Sequence, residues 1–557
     1  MIEHDVVVIG GGLAGTRAAL EVYFSGVDVA IVSKLHPMRS HSVAAAGGIN
    51  AAVSEEDSWE GHMFDTVKGS DYLADQEAAE VFCQDAAAAV IQMEHWGTPF
   101  SRGPDGKLAS RPFGGHGMPR AYFAGDRTGL MLLNTTFEQV MKEGVTVYDE
   151  WTVTNLAVED GSCRGVFALE LATGELHAIM AKAVIFATGP AGQIYQKSTN
   201  AVTCTGDGLA IALRAGIPLK DMEFVQFHPT SLWGPNVLIT EAARGEGGRL
   251  FNAKGERFME RYAPKTVDMA PRDIVSRSII TEVREGRAFE GGYVHLDLTH
   301  LGADYIKERL PEVVEFSRDF AGVDATQEPI PVEPAQHYMM GGIDVAINGA
   351  TVMPGVYAAG ECACVSLHGS NRLGGNALLE CLVFGRMAGS EAAEFAKKRD
   401  FADIPAEALK AEEERIYRIL KREDGERPAY IRREMQQAMH EHVGVFRIEE
   451  EMREALRKVK ELQERFKSVY VDDKGKVFNQ NLVDTLELQN MLTVAEVIAL
   501  GALTREESRG AHYRADFSKR DDDEWLKHTI ASLVNGEVVL SYTPVSVTRF
   551  KPEARVY

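Results

Sequence analysis

Three glycines near the N-terminus have the spacing of a phosphate-binding turn. Gly10, Gly12 and Gly15 follow a G-x-G-x-x-G spacing, after the β-branched run 6–9 and at the head of a helical pattern over 13–23. Glycines so placed permit a tight turn and let a pyrophosphate reach the amides of a helix start, which predicts a dinucleotide site. An NAD site usually ends its second strand with an acidic residue for the ribose. Here the apolar run 27–32 leads into Ser33-Lys34, which counts against NAD. Glu241 and Arg244 lie three apart, one helical turn, close enough to pass a proton. The histidines and cysteines have no compact ligand spacing, and Cys362-x-Cys364 reads as two small buried thiols, so no metal site is expected.

These residues need a scaffold. The runs 6–9, 13–23 and 27–32 form a βαβ unit, and two further apolar runs, 183–189 and 356–360, end at glycine and read as buried parallel strands opening onto a ligand crevice. The expected fold is α/β: a Rossmann-like nucleotide-binding domain, discontinuous over 1–229 and 337–405, with an α+β capping domain, the loop-rich and proline-punctuated stretch 230–336, inserted. From 406 to 520 the pattern turns helical. Met452, Ala455, Val459, Leu462 and Phe466 alternate spacings of three and four and line one helix face, while Glu449, Glu450 and Glu451 read as its solvated side. The segment 521–557 carries an Asn535-Gly536 turn before Val538-Val539-Leu540, a small β-containing domain.

A length of 557 residues exceeds what one core supports. The formal charge of -23 repels a phosphate backbone, so nucleic acid is not an expected partner. Six cysteines without a C-x-x-C pair suit a reducing compartment. The N-terminus runs straight into a strand without a basic, apolar leader, and no run of 18 apolar residues occurs, so attachment to a membrane is expected only through a partner.

The segment Pro37-Met38-Arg39-Ser40-His41-Ser42-Val43-Ala44-Ala45-Ala46-Gly47-Gly48-Ile49 resembles the flavin-attachment segment of succinate dehydrogenase and fumarate reductase flavoprotein subunits. The likeness continues through Asp57-Ser58-Trp59-Glu60, Lys68-Gly69-Ser70-Asp71-Tyr72 and Arg111-Pro112-Phe113-Gly114-Gly115 to Phe550-Lys551-Pro552, nearly the whole chain. It implies FAD as cofactor, bound covalently through His41, with Ser40 and Gly48 lining the flavin and Asp207 and Glu361 contacting FAD. Ala377 and Leu378, after Gly374-Gly375-Asn376, would offer helix-start amides to the anion of the reduced ring.

The same resemblance implies a site for succinate or fumarate built from His228, Thr240, His337 and Arg372, with Phe113 packed over the substrate. Two carboxylates call for several converging donors, arginine above all. Removing a hydride from one methylene and a proton from the next requires a flavin N5 on one carbon and a proton acceptor on the other. Arg272, in Pro271-Arg272-Asp273, resembles the proton-transfer arginine of the family, with Glu241 and Arg244 behind it. A free guanidinium is a poor base. Arg272 therefore suits the acid role in fumarate reduction, succinate oxidation needs Glu241 to draw the proton off, and a role for Arg272 in binding alone stays open.

Electrons would pass to an iron-sulfur subunit joined to a quinone-binding membrane anchor, which would place the chain peripherally on the cytoplasmic side of the cell membrane. An L-aspartate oxidase shares the expected fold but holds FAD without a covalent histidine. A non-catalytic flavoprotein scaffold would have no use for Arg272, Glu241, His228, His337 and Arg372 together. A self-contained reductase with a fused haem segment would carry C-x-x-C-H, which is absent here. The direction of the reaction in the cell is open.

Overall fold

The structure is a computed structural model and describes residues 2–555; Met1, Val556 and Tyr557, at the outer ends of the first and last expected segments, lie outside the described residues. β-branched runs buried on both faces build a central sheet of seven strands. Ile2–Ile9 lies between Val29–Ser33 and Leu176–Phe186, parallel to both, with Val7 opposite Ala30 and Val184. Thr146–Asp149 and Val356–Ala358 extend the parallel set. Ser162–Glu170 and Trp151–Glu159 continue the sheet antiparallel. Helix Leu13–Phe24 begins at the N-cap Gly12 and packs on Asn376–Ala396, so the last nucleotide-domain helix covers the first.

The chain leaves this domain on strand Val225–Leu232 and returns on Ile330–Met339, its antiparallel neighbour. Positions 230 and 336 fall inside these paired strands, which continue through Val294–Asp297 to Arg249–Phe251 as a four-stranded sheet. Helix Arg272–Arg284 packs on that sheet, and Leu250, Phe258, Val275, Ile279, Leu296 and Val332 give the insert a core of its own.

Four helices follow: Ala406–Leu420, Pro428–His442, Glu449–Phe466 and Gln480–Thr504. On the third, Met452, Ala455, Val459 and Leu462 are buried as one stripe. The fourth is long and apolar enough to cross a membrane, but 78% of its most apolar window is buried within the molecule, so its apolar residues are core. Lys527–Val534 and Glu537–Pro544 form a hairpin through Asn535 and Gly536, both at positive φ as a two-residue turn of the primed type requires. The hairpin does not stand alone: Lys527–Val534 pairs antiparallel with Leu219–Lys220 in a five-stranded sheet.

Candidate active site

A long cavity opens at the carboxyl ends of the parallel strands, where doubly wound folds place ligands. Gly10, Gly12, Ser33, Lys34, Ser40, His41 and Gly48 line it, as do Asp207, Glu361, Ala377 and Leu378. Gly15 stands behind the lining, and its reason is packing: a Cβ there would lie 1.9 Å from Gly10 O. Gly10, at φ 111°, would clash likewise, with its Cβ 2.3 Å from Ala187 O.

Two hydroxyls beside the glycine turn lack partners of their own. Ser40 Oγ and Thr188 Oγ1 are buried without a hydrogen bond, which suits a polar ligand between them. Helix Asn376–Ala396 starts at Gly375, at φ 85°, and presents Ala377 and Leu378 in its first turn, where amides have no helical acceptor. The residues present therefore fit a dinucleotide with a ring system at the His41 end. His41 accepts from the Ala201 amide at Nδ1 (3.3 Å), and Asn200 Nδ2 lies 3.1 Å from Nε2. Burial lowers its pKa to about 4, so the imidazole is neutral and nucleophilic.

The other expected residues line the same cavity beyond His41: Phe113, His228, Thr240, Glu241, Arg272, His337 and Arg372. Pro271 caps helix Arg272–Arg284 and sets Arg272 at its first position, on the cavity wall. Arg272 Nε donates to Glu241 Oε2 at 2.8 Å. Glu241 Oε1 accepts from the Gly114 amide at 2.9 Å and lies 3.6 Å from Arg244 Nη2. Arg244 stands behind the lining, with Nη1 on Asp268 O at 2.6 Å. Burial would raise the Glu241 pKa, but the Arg272 and Arg244 charges outweigh it and hold the carboxyl well below its ordinary range.

The histidine rings lie 4.9 Å apart. His228 Nδ1 faces Thr230 O at 3.2 Å, which leaves Nε2 buried and unpartnered; His337 Nδ1 meets Thr199 Oγ1 at 2.8 Å. Burial and the neighbouring cations hold both far below the usual imidazole value, so they act as neutral groups. Arg372 lies 4.2 Å from the Tyr338 ring centroid; its Nε has no partner, and burial followed by the nearby Arg272 lowers its pKa to about 10. Glu361 Oε1 accepts from the Met339 amide at 3.0 Å, and burial pushes its pKa up to about 8. Arg272 and Arg244 thus share the Glu241 carboxylate, whereas Arg372, on the same cavity wall, has no carboxylate within ion-pair distance among the described residues.

Gln226 was not among the expected residues. Its Oε1 accepts from Arg272 Nη1 (3.1 Å) and Arg372 Nη2 (3.3 Å), and its Nε2 donates to Asn371 Oδ1 (2.9 Å) and Arg372 O (2.8 Å). It holds the two arginines in one frame. Its signal in the sequence is its place two residues before His228, within Gln226-Phe227-His228-Pro229-Thr230 on strand Val225–Leu232.

Residues 5–378 match the FAD binding domain family, and residues 432–557 match a family described as fumarate reductase flavoprotein C-term. The chain is 47% identical to a fumarate reductase flavoprotein subunit of Mycobacterium tuberculosis, covering 100% of this chain and 99% of that one. It is 46% identical to a succinate dehydrogenase flavoprotein subunit of Rickettsia conorii, covering 99% and 97%. Among solved structures it superposes on FrdA of a mutant E. coli quinol fumarate reductase with a TM-score of 0.96 at 42% identity, covering 100% of this chain and 99% of that one.

Proposed function

The chain belongs to the family of fumarate reductase and succinate dehydrogenase flavoprotein subunits, and on that footing we propose that it interconverts succinate and fumarate in the cavity beside His41. The observation that carries the reading is the cationic pocket in which Arg272 and Arg244 share Glu241 while Arg372 lines the wall with an unmet Nε donor, a setting that a dicarboxylate would complete. Bound FAD supplies the redox chemistry, taking or giving a hydride at N5. Arg372 and the neutral His228 and His337, with Thr240, grip the two carboxylates, and Phe113 packs over the substrate. Arg272 gives a proton to the carbon next to the hydride-accepting one in fumarate reduction and returns it towards Glu241 in the reverse direction. Arg244 and Gln226 keep Glu241 and Arg272 in register.

His41, neutral by burial, would hold the flavin as its covalent anchor. Electrons leave to an iron-sulfur subunit and through a quinone-binding membrane anchor, with this chain peripheral on the cytoplasmic side. The test is succinate-dependent dye reduction by the purified flavin-loaded chain. Malonate should compete with succinate, and a chain that binds neither would sink the reading. His41→Ser should keep FAD but release it in acid, with succinate oxidation lost before fumarate reduction; covalent flavin persisting after denaturation would refute the attachment.

A further inference from the structure

At the end of the cavity beside Ser33, a side chain from the helical segment reaches a residue of the lining. Lys34 Nζ donates to Thr205 Oγ1 at 2.9 Å, Asp207 Oδ2 at 2.7 Å and Glu487 Oε1 at 2.7 Å. An ammonium has three donors, so Lys34 has none left for a ligand. Its strand end is nevertheless where a dinucleotide fold usually offers an acceptor to ribose hydroxyls. Asp207 lines the cavity there, and a carboxylate accepts about four hydrogen bonds. Lys34, Thr205 (3.0 Å) and Asn490 (2.8 Å) take three of these places. One acceptor place on Asp207 remains.

Glu487 and Asn490 stand one turn apart on helix Gln480–Thr504, and both are buried. Glu487 does not line the cavity; it acts through Lys34. Without it, the third Lys34 donor would turn to the remaining acceptor place of Asp207 and take it from the ligand. We propose that Glu487 is a positioning residue for the adenosine half of FAD: by holding one donor of Lys34 it keeps Asp207 open to a ribose hydroxyl, so the helical segment completes the cofactor site. This inference rests on the reading of the cavity as the FAD site.

The test is ligand titration of the His41→Ser chain stripped of flavin, using FAD, ADP and FMN. Glu487→Leu should weaken FAD and ADP about tenfold, the scale of one lost hydrogen bond, and leave FMN, which lacks the adenosine, unchanged. Glu487→Gln keeps the Oε1 acceptor and should hold FAD and ADP within about threefold. In a Lys34→Met background, Glu487→Leu should add nothing. The inference is overturned if Glu487→Leu leaves FAD and ADP binding intact, or if FMN weakens by the same factor, which would mark a packing defect. A parent chain that binds neither FAD nor ADP would instead overturn the cavity reading, and this inference with it.

Discussion

Arg505 and Arg372 are both buried guanidiniums, and their surroundings differ at every nitrogen. Arg505 uses all five donors: Nε on Glu223 (2.8 Å), Nη1 on Glu507 (3.0 Å) and Trp525 O (2.9 Å), and Nη2 on Lys527 O (2.7 Å) and Thr529 Oγ1 (3.1 Å). Its neighbour Arg509 is likewise held by Glu507 and Asp522. Arg372 has an unpartnered Nε and hydrogen bonds of only 3.3 and 3.4 Å, and Arg244 leaves Nε and Nη2 without a hydrogen bond. A buried charge without partners costs several kcal/mol. The Arg505 cluster therefore ties the C-terminal hairpin to the body, whereas the unmet donors around Arg372 would suit an arriving anion. Of the two, the arginine with unmet donors is the one that lines the cavity.

Substitutions in the two regions should then fail in opposite ways. The largest effect is expected for Arg272→Gln. If Arg272 moves a proton, kcat should fall about 10²–10⁴-fold with KM little changed, whereas a raised KM with kcat kept would reduce it to a binding group. Arg505→Met should come next: it strands Glu223 and Glu507, lowering stability by about 3–5 kcal/mol in thermal or denaturant unfolding while the KM for succinate holds. Arg372→Met should do the reverse, raising that KM about 10–100-fold while the melting temperature holds or rises, because a cation beside Arg272 is gone. If Arg372→Met destabilised the fold as Arg505→Met does, the contrast between the regions would collapse.

How much of this is legible in the sequence depends on whether a constraint is local. The turn Gly10-x-Gly12-x-x-Gly15 is local: strand, turn and helix meet within a few residues, so spacing alone exposes it. His228, Thr240, Arg272, His337 and Arg372 come from separate elements, and only motif resemblance gathers them, because nothing in their spacing says that they converge. Gln226 and Glu487 escaped because an amide or a helix carboxylate has no signature until its partner is known. The same holds for the hairpin 527–544, read as a separate small domain: its turn is written in Asn535-Gly536, but its union with Leu219–Lys220 depends on a strand three hundred residues away. Similarly, composition made Gln480–Thr504 apolar without saying that protein would cover it.

The smallest effects expected are in pH dependence, and they too divide by region. His528 sits on the C-terminal hairpin, with Nδ1 2.6 Å from Asp221 Oδ2; burial alone would lower its pKa, but Asp221 outweighs that and raises it to about 9. With an unfolded value of 6.5, the stability it contributes is full below pH 6.5 and lost as pH rises through about 9. His62 lies against the start of helix Asn376–Ala396, on Asn376 Oδ1 at 3.0 Å, and burial lowers its pKa to about 3. Its contribution is intact above pH 6.5 and lost progressively as pH falls towards about 3. Melting temperatures measured across pH should therefore show the gap between parent and His528→Gln closing on the alkaline side. The gap between parent and His62→Gln should narrow on the acid side, because the neutral ring that the fold buries without a countercharge must bind a proton in the unfolded chain first. Gaps that stayed constant with pH would mean that neither histidine changes its proton affinity on folding.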